Sequence, residues 1–300
     1  MPSSFPIVSV VIPTYNRELF LSRALMSVVD QSFTRWEAIV VDNHSQDNTD
    51  EVIQNFKDSR IKLFKIHNRG IIAASRNLGV RAACGEWIAF LYSDDWWSPI
   101  KLERSLQFLN SGADIVYHDL FIVKNEKQKY FWKRAKTFQV REPAYEHLIH
   151  CGNALTNSSV VVRKTLLEQV GGLSEKKELI AWEDYDCWLR IAKHTERFVR
   201  INEPLGYYWA AGGNASSTQQ TMKTLQEFHS RYLKGRSDDV PAWFHYGKGR
   251  SLFYLKYYIK AIPHLVQSTF SGLPIMKIKS IITIISIYLI SMLNRKKNVH

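Results

Sequence analysis

Two adjacent carboxylates, Asp94 and Asp95, follow the apolar run Trp87–Leu91, and two more acids, Glu183 and Asp184, lie in the segment Trp182-Glu183-Asp184-Tyr185-Asp186. Adjacent carboxylates repel each other unless donors or a cation neutralise them. A hard divalent ion such as Mn2+ or Mg2+, bridging to the oxygens of a diphosphate, would do so. The plainer use of Asp94 and Asp95 is to cap the next helix, but Ser98-Pro99 already reads as an N-cap followed by proline at the first helical position. For Glu183, Asp184 and Asp186 the plainer use is stronger, because acids in the first turn of a helix are favoured by its dipole. The segment by itself does not say which acid would act as a base.

The elements that must position these groups are legible from residue spacing. Ile7–Ile12, Trp36–Val41, Ile61–Ile66, Trp87–Leu91 and Asp114–Phe121 read as strands. Helical spacing fills Leu21–Val29, Thr49–Phe56 and Ala73–Cys84, and a further helix follows Ser98-Pro99. Such alternation implies a mainly parallel sheet covered on both faces, whose ligands bind outside the carboxyl ends of the strands. Polar clusters stand at those ends: Pro13-Thr14-Tyr15-Asn16-Arg17, Asp42-Asn43-His44-Ser45, Asn68-Arg69-Gly70 and Ser93-Asp94-Asp95. Neither Gly-x-Gly-x-x-Gly nor the phosphate-cradling Gly-x-x-x-x-Gly-Lys follows a strand. In their place the ring of Tyr15 is suited to lie against a base, although a plain strand-to-helix turn explains that segment equally well. Residues 125–160 read as a hairpin and loops, followed by a strand at Ser158–Val162, a helix from Trp182 to Lys193 and helices over 218–270.

Val8–Arg17, Val40–Ser45, Asn68-Arg69-Gly70 with Ser75-Arg76-Asn77, Ser93-Asp94-Asp95, Gly171-Gly172 and Trp182–Asp186, in that order and spacing, resemble the family 2 glycosyltransferases. The resemblance covers residues 6–215. It implies an α/β chain with the GT-A nucleotide-diphospho-sugar transferase fold, a Rossmann-like, mixed and mainly parallel sheet, over residues 1–217. A helical C-terminal region would follow over 218–300. It implies inverting transfer of a sugar from a nucleotide-diphosphate donor, UDP or dTDP favoured, to a hydroxyl of a glycan or lipid-linked acceptor in cell-surface polysaccharide synthesis. Carried over residue by residue, Pro13, Thr14, Tyr15, Asn16 and Arg17 line the nucleotide, Asp42 and Asn43 face the base, and Arg76 and Glu183 belong to substrate binding. Asp94 reaches the ribose or the metal, Asp95 binds Mn2+ or Mg2+, and Asp184 takes the proton of the attacking hydroxyl. Asn43 departs from the pattern, since many relatives carry a second Asp there. The 207–217 segment also lacks the His that some relatives use as a further metal ligand.

Composition bounds the alternatives. With 45% hydrophobic and 23% charged residues the chain has the balance of a folded protein. Three widely spaced cysteines, Cys84, Cys151 and Cys187, form no metal pattern and suit a reducing compartment. The N-terminal segment does not resemble a secretory signal, so a cytoplasmic enzyme body is expected. Of the formal net charge of +12, residues 221–300 carry +10. Ile278–Leu293 is apolar, interrupted by Ser280, Thr283, Ser286 and Ser291, and flanked by Lys277 and Arg295-Lys296-Lys297. That run is shorter than the ~20 residues of a bilayer span, and the 277–297 tail is expected to lie on the inner face of the cell membrane against anionic lipid. Nucleic acid is not an expected partner, because the basic residues flank an apolar helix instead of alternating with aromatics. A sugar nucleotidyltransferase would want a Gly-rich basic loop after the first strand, which is missing. A non-catalytic scaffold of the same fold is disfavoured by Asp94, Asp95 and Asp184 occurring together.

Overall fold

The computed structural model describes residues 5–211, 217–236 and 239–297. The chain divides into two compact units: one contains residues 1–145, 153–177 and 183–213, the other 146–152, 178–182 and 214–300.

In the first unit β1 (Val8–Thr14), α1 (Glu18–Val29), β2 (Trp36–Asp42), α2 (Thr49–Asn55), β3 (Ile61–Lys65), α3 (Ile72–Ala82) and β4 (Trp87–Phe90) alternate as expected. β1 and β2 are buried along their whole length, which is why they read as unbroken apolar runs. Val8, Val10 and Ile12 face a core shared with Leu21, Leu25 and Val28 of α1. Burying each such side chain contributes about 1.5–3 kcal/mol. On the other face α3 approaches β1 at Gly79, where a Cβ would lie 2.4 Å from Val11 Cγ1. After β4 come β5 (Trp96–Trp97), α4 (Lys101–Asn110), β6 (Ile115–His118), β7 (Leu120–Val123), β8 (Arg134–Ala135), α5 (Ala144–Cys151, of which residues 146–151 belong to the second unit), β9 (Val161–Arg163), α6 (Lys164–Gln169), α7 (Glu183–Ile191), β10 (Phe198–Ile201) and β11 (Gly206–Trp209).

The seven-stranded sheet has the order β10-β6-β9-β4-β1-β2-β3. All its pairs are parallel except those of β9, which runs antiparallel to β4 and β6. Register aligns the carboxyl ends: Thr14 pairs with Asp42, and Asp42 with Lys65. The reversed β9 matters to the site, because it delivers the turn Asn157–Ser159 to the carboxyl end of β4, where Ser158 Oγ accepts the Tyr92 N–H at 3.0 Å.

Three sequence expectations change. Asp114–Phe121 is not one strand. Asp119 is buried, and its carboxylate accepts from Thr137 N–H and Oγ1 and pairs with Arg200, so the chain leaves one sheet there and enters another. That second sheet, β5-β11-β7-β8, was not expected; two of its strands are only two residues long. Nor is Ser98 the N-cap of α4: the helix begins at Lys101 and the Ser98 hydroxyl caps nothing. The backbone carbonyls of Ser98 and Pro99 instead receive Gln31 Nε2 and the Ser32 N–H.

The second unit consists of α8 (Thr218–Phe228), α9 (Ala242–Tyr254), α10 (Tyr258–Ser271) and α11 (Pro274–Lys297) with the two short segments 146–152 and 178–182. Ser217 caps α8 by accepting the Gln220 N–H. Arg236 forks onto Glu146, and Trp182 and Trp243 each meet Phe228 edge to face while lying tilted to one another. α11 is longer than the sixteen-residue run suggested: Pro274–Leu293 has a mean hydropathy of 1.7 and meets the length and composition of a membrane span. One side of it is nevertheless packed, with Ile287 in a core formed with Leu252, Ala261 and Leu265, and Ser280 hydrogen-bonded to Ser268.

Candidate active site

The loops after β1, β2 and β3 are laced together by side chains that can satisfy a backbone N–H. Asn16 sits in the left-handed region (φ 49°), donates its N–H to Ser45 Oγ at 2.8 Å and accepts the Gln46 N–H on Oδ1 at 2.7 Å. Pro13 and Thr14 are buried, Thr14 Oγ1 without a hydrogen-bond partner, whereas Tyr15 is half exposed. Asp42 is fully buried, and its carboxylate is committed within the fold to Ser45 N–H, Ser45 Oγ and Lys65 Nζ. Asn43 is differently placed. Its Oδ1 accepts the Asn68 N–H at 2.8 Å, which fixes the amide with Nδ2 as the donor left over. Beside it the rings of His44 and His67 stack at 3.8 Å.

Asp94 and Asp95 lie in the turn between β4 and β5. Burial raises the Asp94 carboxyl pKa against the pull of Arg17 and Arg23. Asp95 is almost wholly buried; one oxygen accepts the Trp209 N–H at 2.9 Å and the other has no partner. Burial first, and the neighbouring Asp94 second, push its pKa up to about 8. A carboxylate pair that burial and mutual repulsion disfavour in spite of Arg17 and Arg23 is a place for a cation.

On α3, Arg76 is fully buried and bonds through Nη1 to Glu183 Oε1 at 2.6 Å and through Nη2 to the Tyr92 hydroxyl. The pairing is what permits both charges to be buried. Glu183 and Asp184 open α7, whose Arg190 donates to the Gly172 carbonyl at 2.8 Å; Gly171 and Gly172 both have positive φ, and a Cβ at Gly172 would lie 2.6 Å from Asn77 Oδ1 on α3. Asp184 is half-buried, and its Oδ1 accepts the Tyr185 N–H. Burial, then the charge of Glu183, push its carboxyl up to about 6, against Arg76 and the Asn153 side chain. A carboxylate poised there is suited to general-base work near neutral pH. Tyr92 connects the two halves of the site, because its phenol is within electrostatic reach of Arg76, Glu183, Asp184 and Asp95.

The family model for glycosyl transferase family 2 matches residues 9–164, just over half of the chain. The chain belongs to this family. Among glycosyltransferases of known activity it is 34% identical over 190 residues to the Escherichia coli UDP-Glc:alpha-D-GlcNAc-diphosphoundecaprenol beta-1,3-glucosyltransferase WfgD, covering 62% of this chain and 70% of that one. Two solved structures share the fold. Staphylococcus aureus TarS 1–349 in complex with UDP-GlcNAc has a TM-score of 0.58 at 19% identity, covering 94% of this chain and 89% of that one. The mannosyltransferase PcManGT from Pyrobaculum calidifontis, in complex with GDP-Man and Mn2+, has a TM-score of 0.58 at 18% identity, covering 92% and 78%. The fold is GT-A, and the protein is a glycosyltransferase.

Within this glycosyltransferase, Asp94 and Asp95 are the residues that could hold a divalent cation. Among the described residues no third His, Cys, Asp or Glu joins them. That fits Mg2+ and Mn2+, which are bound by one or two carboxylates together with substrate phosphates and water. The structure also brings in residues the sequence did not mark. Arg23 donates Nη2 to the Asp94 carbonyl at 2.9 Å, its guanidinium 3.7 Å over the Trp96 ring and 4.9 Å from the Trp209 ring. Tyr92, Asn153 and Ser158 join the site through contacts of long sequence separation, for which spacing gives no signal. Tyr92 stood between the strand Trp87–Leu91 and the cluster Ser93-Asp94-Asp95, and Ser158 at the start of an expected strand, neither as a site residue.

Proposed function

We propose that this glycosyltransferase inverts the anomeric centre in a single displacement, with Asp184 as the base that takes the proton from an acceptor hydroxyl. The observation that carries this reading is the Asp184 carboxyl, half-buried at the start of α7 and raised to about 6, in one site with the Asp94–Asp95 pair. A base must be ionised at working pH yet able to accept a proton, and a carboxyl near 6 meets both demands. It must also stand across the sugar from the leaving group, so one acid pair for the diphosphate and a separate acid on a later helix form the required layout. The cation held by Asp94 and Asp95 would offset charge on the departing diphosphate. Pro13, Thr14, Tyr15, Asn16 and Arg17 line the nucleotide. Asp42 braces their loop from within, and Asn43 offers Nδ2 to a carbonyl on the base. UDP or dTDP is the favoured carrier; the name of WfgD gives UDP-Glc as its donor. Arg76 serves the donor side from within the fold, through its buried ion pair with Glu183 beside Asp184.

The acceptor is a glycan or a lipid-linked sugar in cell-surface polysaccharide synthesis; WfgD's name specifies a diphosphoundecaprenol-linked one. A lipid-linked acceptor places the enzyme at a membrane, and α11 supplies the contact. Ser280, Ile284 and Ile287 occupy its packed side. At about 3.6 residues per turn, Ile278, Ile282, Ile285 and Leu289 fall on the opposite side, and all four are exposed. Exposed apolar stripes of this size mark contact surfaces. Since α11 is packed on α9 and α10, which carry Lys248, Arg250 and Lys260, lying in the plane of the inner leaflet costs less than spanning it.

Asp184→Asn tests the assignment. It should lower kcat by at least ~1000-fold while calorimetric binding of UDP with Mn2+ stays unchanged. Near-normal turnover with weakened nucleotide binding would remove Asp184 from the role of base.

A further inference from the structure

One phenol stands among the charged side chains of the site without a part in the transfer steps. The Tyr92 oxygen accepts Arg76 Nη2, and the same guanidinium lies 4.7 Å over its ring. Its backbone N–H is tied to Ser158 Oγ at 3.0 Å. The side chain is therefore held at both ends. A guanidinium has donors only, so Arg76 uses a lone pair of the phenol and leaves its proton free. Among the described residues no side chain or carbonyl accepts that proton. The phenol also feels the charges of Asp95, at the diphosphate end of the site, and of Asp184, at the acceptor end. In a single displacement the sugar ring must lie between those two groups.

We propose that Tyr92 is a substrate-contacting residue, whose O–H donates a hydrogen bond to a hydroxyl of the sugar being transferred. The ligand class is thus the glycosyl part of the donor, as distinct from its nucleotide. This rests on the glycosyl-transfer reading and adds to it a determinant of sugar recognition. A hydroxyl in a fixed direction discriminates more strongly than an apolar wall, since a sugar without the matching oxygen leaves the phenol unpaired.

The experiment is calorimetry on the full chain in Mn2+ buffer, comparing wild type with Tyr92→Phe, which keeps the ring under Arg76 and removes only the O–H. UDP, UDP-glucose and UDP-N-acetylglucosamine form one series, GDP and GDP-mannose the other. Tyr92→Phe should bind the sugar nucleotide preferred by wild type about tenfold more weakly, with the affinity for the bare diphosphate within about twofold. Deoxy analogues of that donor complete the cycle: one should weaken wild type and leave Tyr92→Phe unaffected. Unchanged binding of the sugar nucleotide would overturn the proposal. Equal loss for sugar nucleotide and bare diphosphate, with a lowered melting temperature, would also overturn it, since Tyr92 would then be only a prop for Arg76. If wild type binds none of the five ligands, nor dTDP or dTDP-glucose, the glycosyl-donor reading itself fails and the proposal with it. That outcome is distinct from a Tyr92→Phe that behaves as wild type.

Discussion

At the scale of single residues the site is a problem of placing like charges. Glu183 and Asp184 are adjacent acids; Glu183 pairs with the buried Arg76, and burial first, then the charge of Glu183, raise the Asp184 carboxyl. The sign of the pH dependence follows. A base acts in its ionised form, so kcat/KM should climb through about pH 6 as Asp184 loses its proton, then level off. Glu183→Gln separates the contributions. The amide keeps a contact to Arg76 but removes the negative charge that raises Asp184, so the acid limb should move to lower pH. The same change leaves the buried Arg76 without a counter-charge and should cost about 3 kcal/mol of stability. A pH-rate profile and urea melts of the same preparation read both effects. An acid limb moving to higher pH would contradict the arrangement.

Between elements, the site depends on how α7 is held, and Gly172 lies where it is tied, since Arg190 of α7 donates to the Gly172 carbonyl. Its φ of 74° and the 2.6 Å from a built Cβ to Asn77 Oδ1 leave no room for a side chain. Asn77 in turn ties Leu173 from both sides, accepting its N–H and donating to its carbonyl. Gly172→Ala should therefore destabilise the protein by about 1–3 kcal/mol and lower kcat more than nucleotide affinity, because the displaced helix carries Asp184. Thermal melts with steady-state kinetics check this. The glycine pair was visible in the sequence as part of a resemblance, but its physical job was not, since Asn77 lies almost a hundred positions away. Strands such as Val8–Thr14 were legible because burial on both faces writes itself as an unbroken apolar run. The sheet β5-β11-β7-β8 was illegible for the opposite reason: Trp96–Trp97 is two residues long and is held by stacking on Tyr207 at 5.0 Å. The Ser98-Pro99 motif misled because its carbonyls were taken by Gln31 and Ser32. Asp94, Asp95 and Asp184 could be named from order and spacing, whereas Tyr92 and Arg23 acquire meaning only from partners brought by folding.

For the whole molecule, the question is whether the basic C-terminal helices work as an anchor or as a core. α11 has a packed side and an exposed apolar side. Ile287 and Ser280 are buried, while Ile282, Ile285 and Leu289 on the opposite side are more than half exposed. Removing residues 277–300 would then do two things at once, stripping the membrane side and opening the core around Leu252 and Leu265. Truncation cannot separate anchoring from folding; side-specific substitutions can. Ile282→Glu with Leu289→Glu should leave the melting temperature nearly unchanged, since both positions face outward, yet abolish sedimentation with vesicles containing anionic lipid. Ile287→Glu should instead unfold the helical unit, because a carboxylate enters an apolar core. Binding by the wild type should weaken as salt rises, since the +10 charge of residues 221–300 acts over a screening length of about 10 Å at 0.1 M salt. It should not vanish, because the apolar stripe is indifferent to salt. Vesicle binding that survives the double substitution at full strength would mean that the stripe of α11 is not the membrane-facing surface.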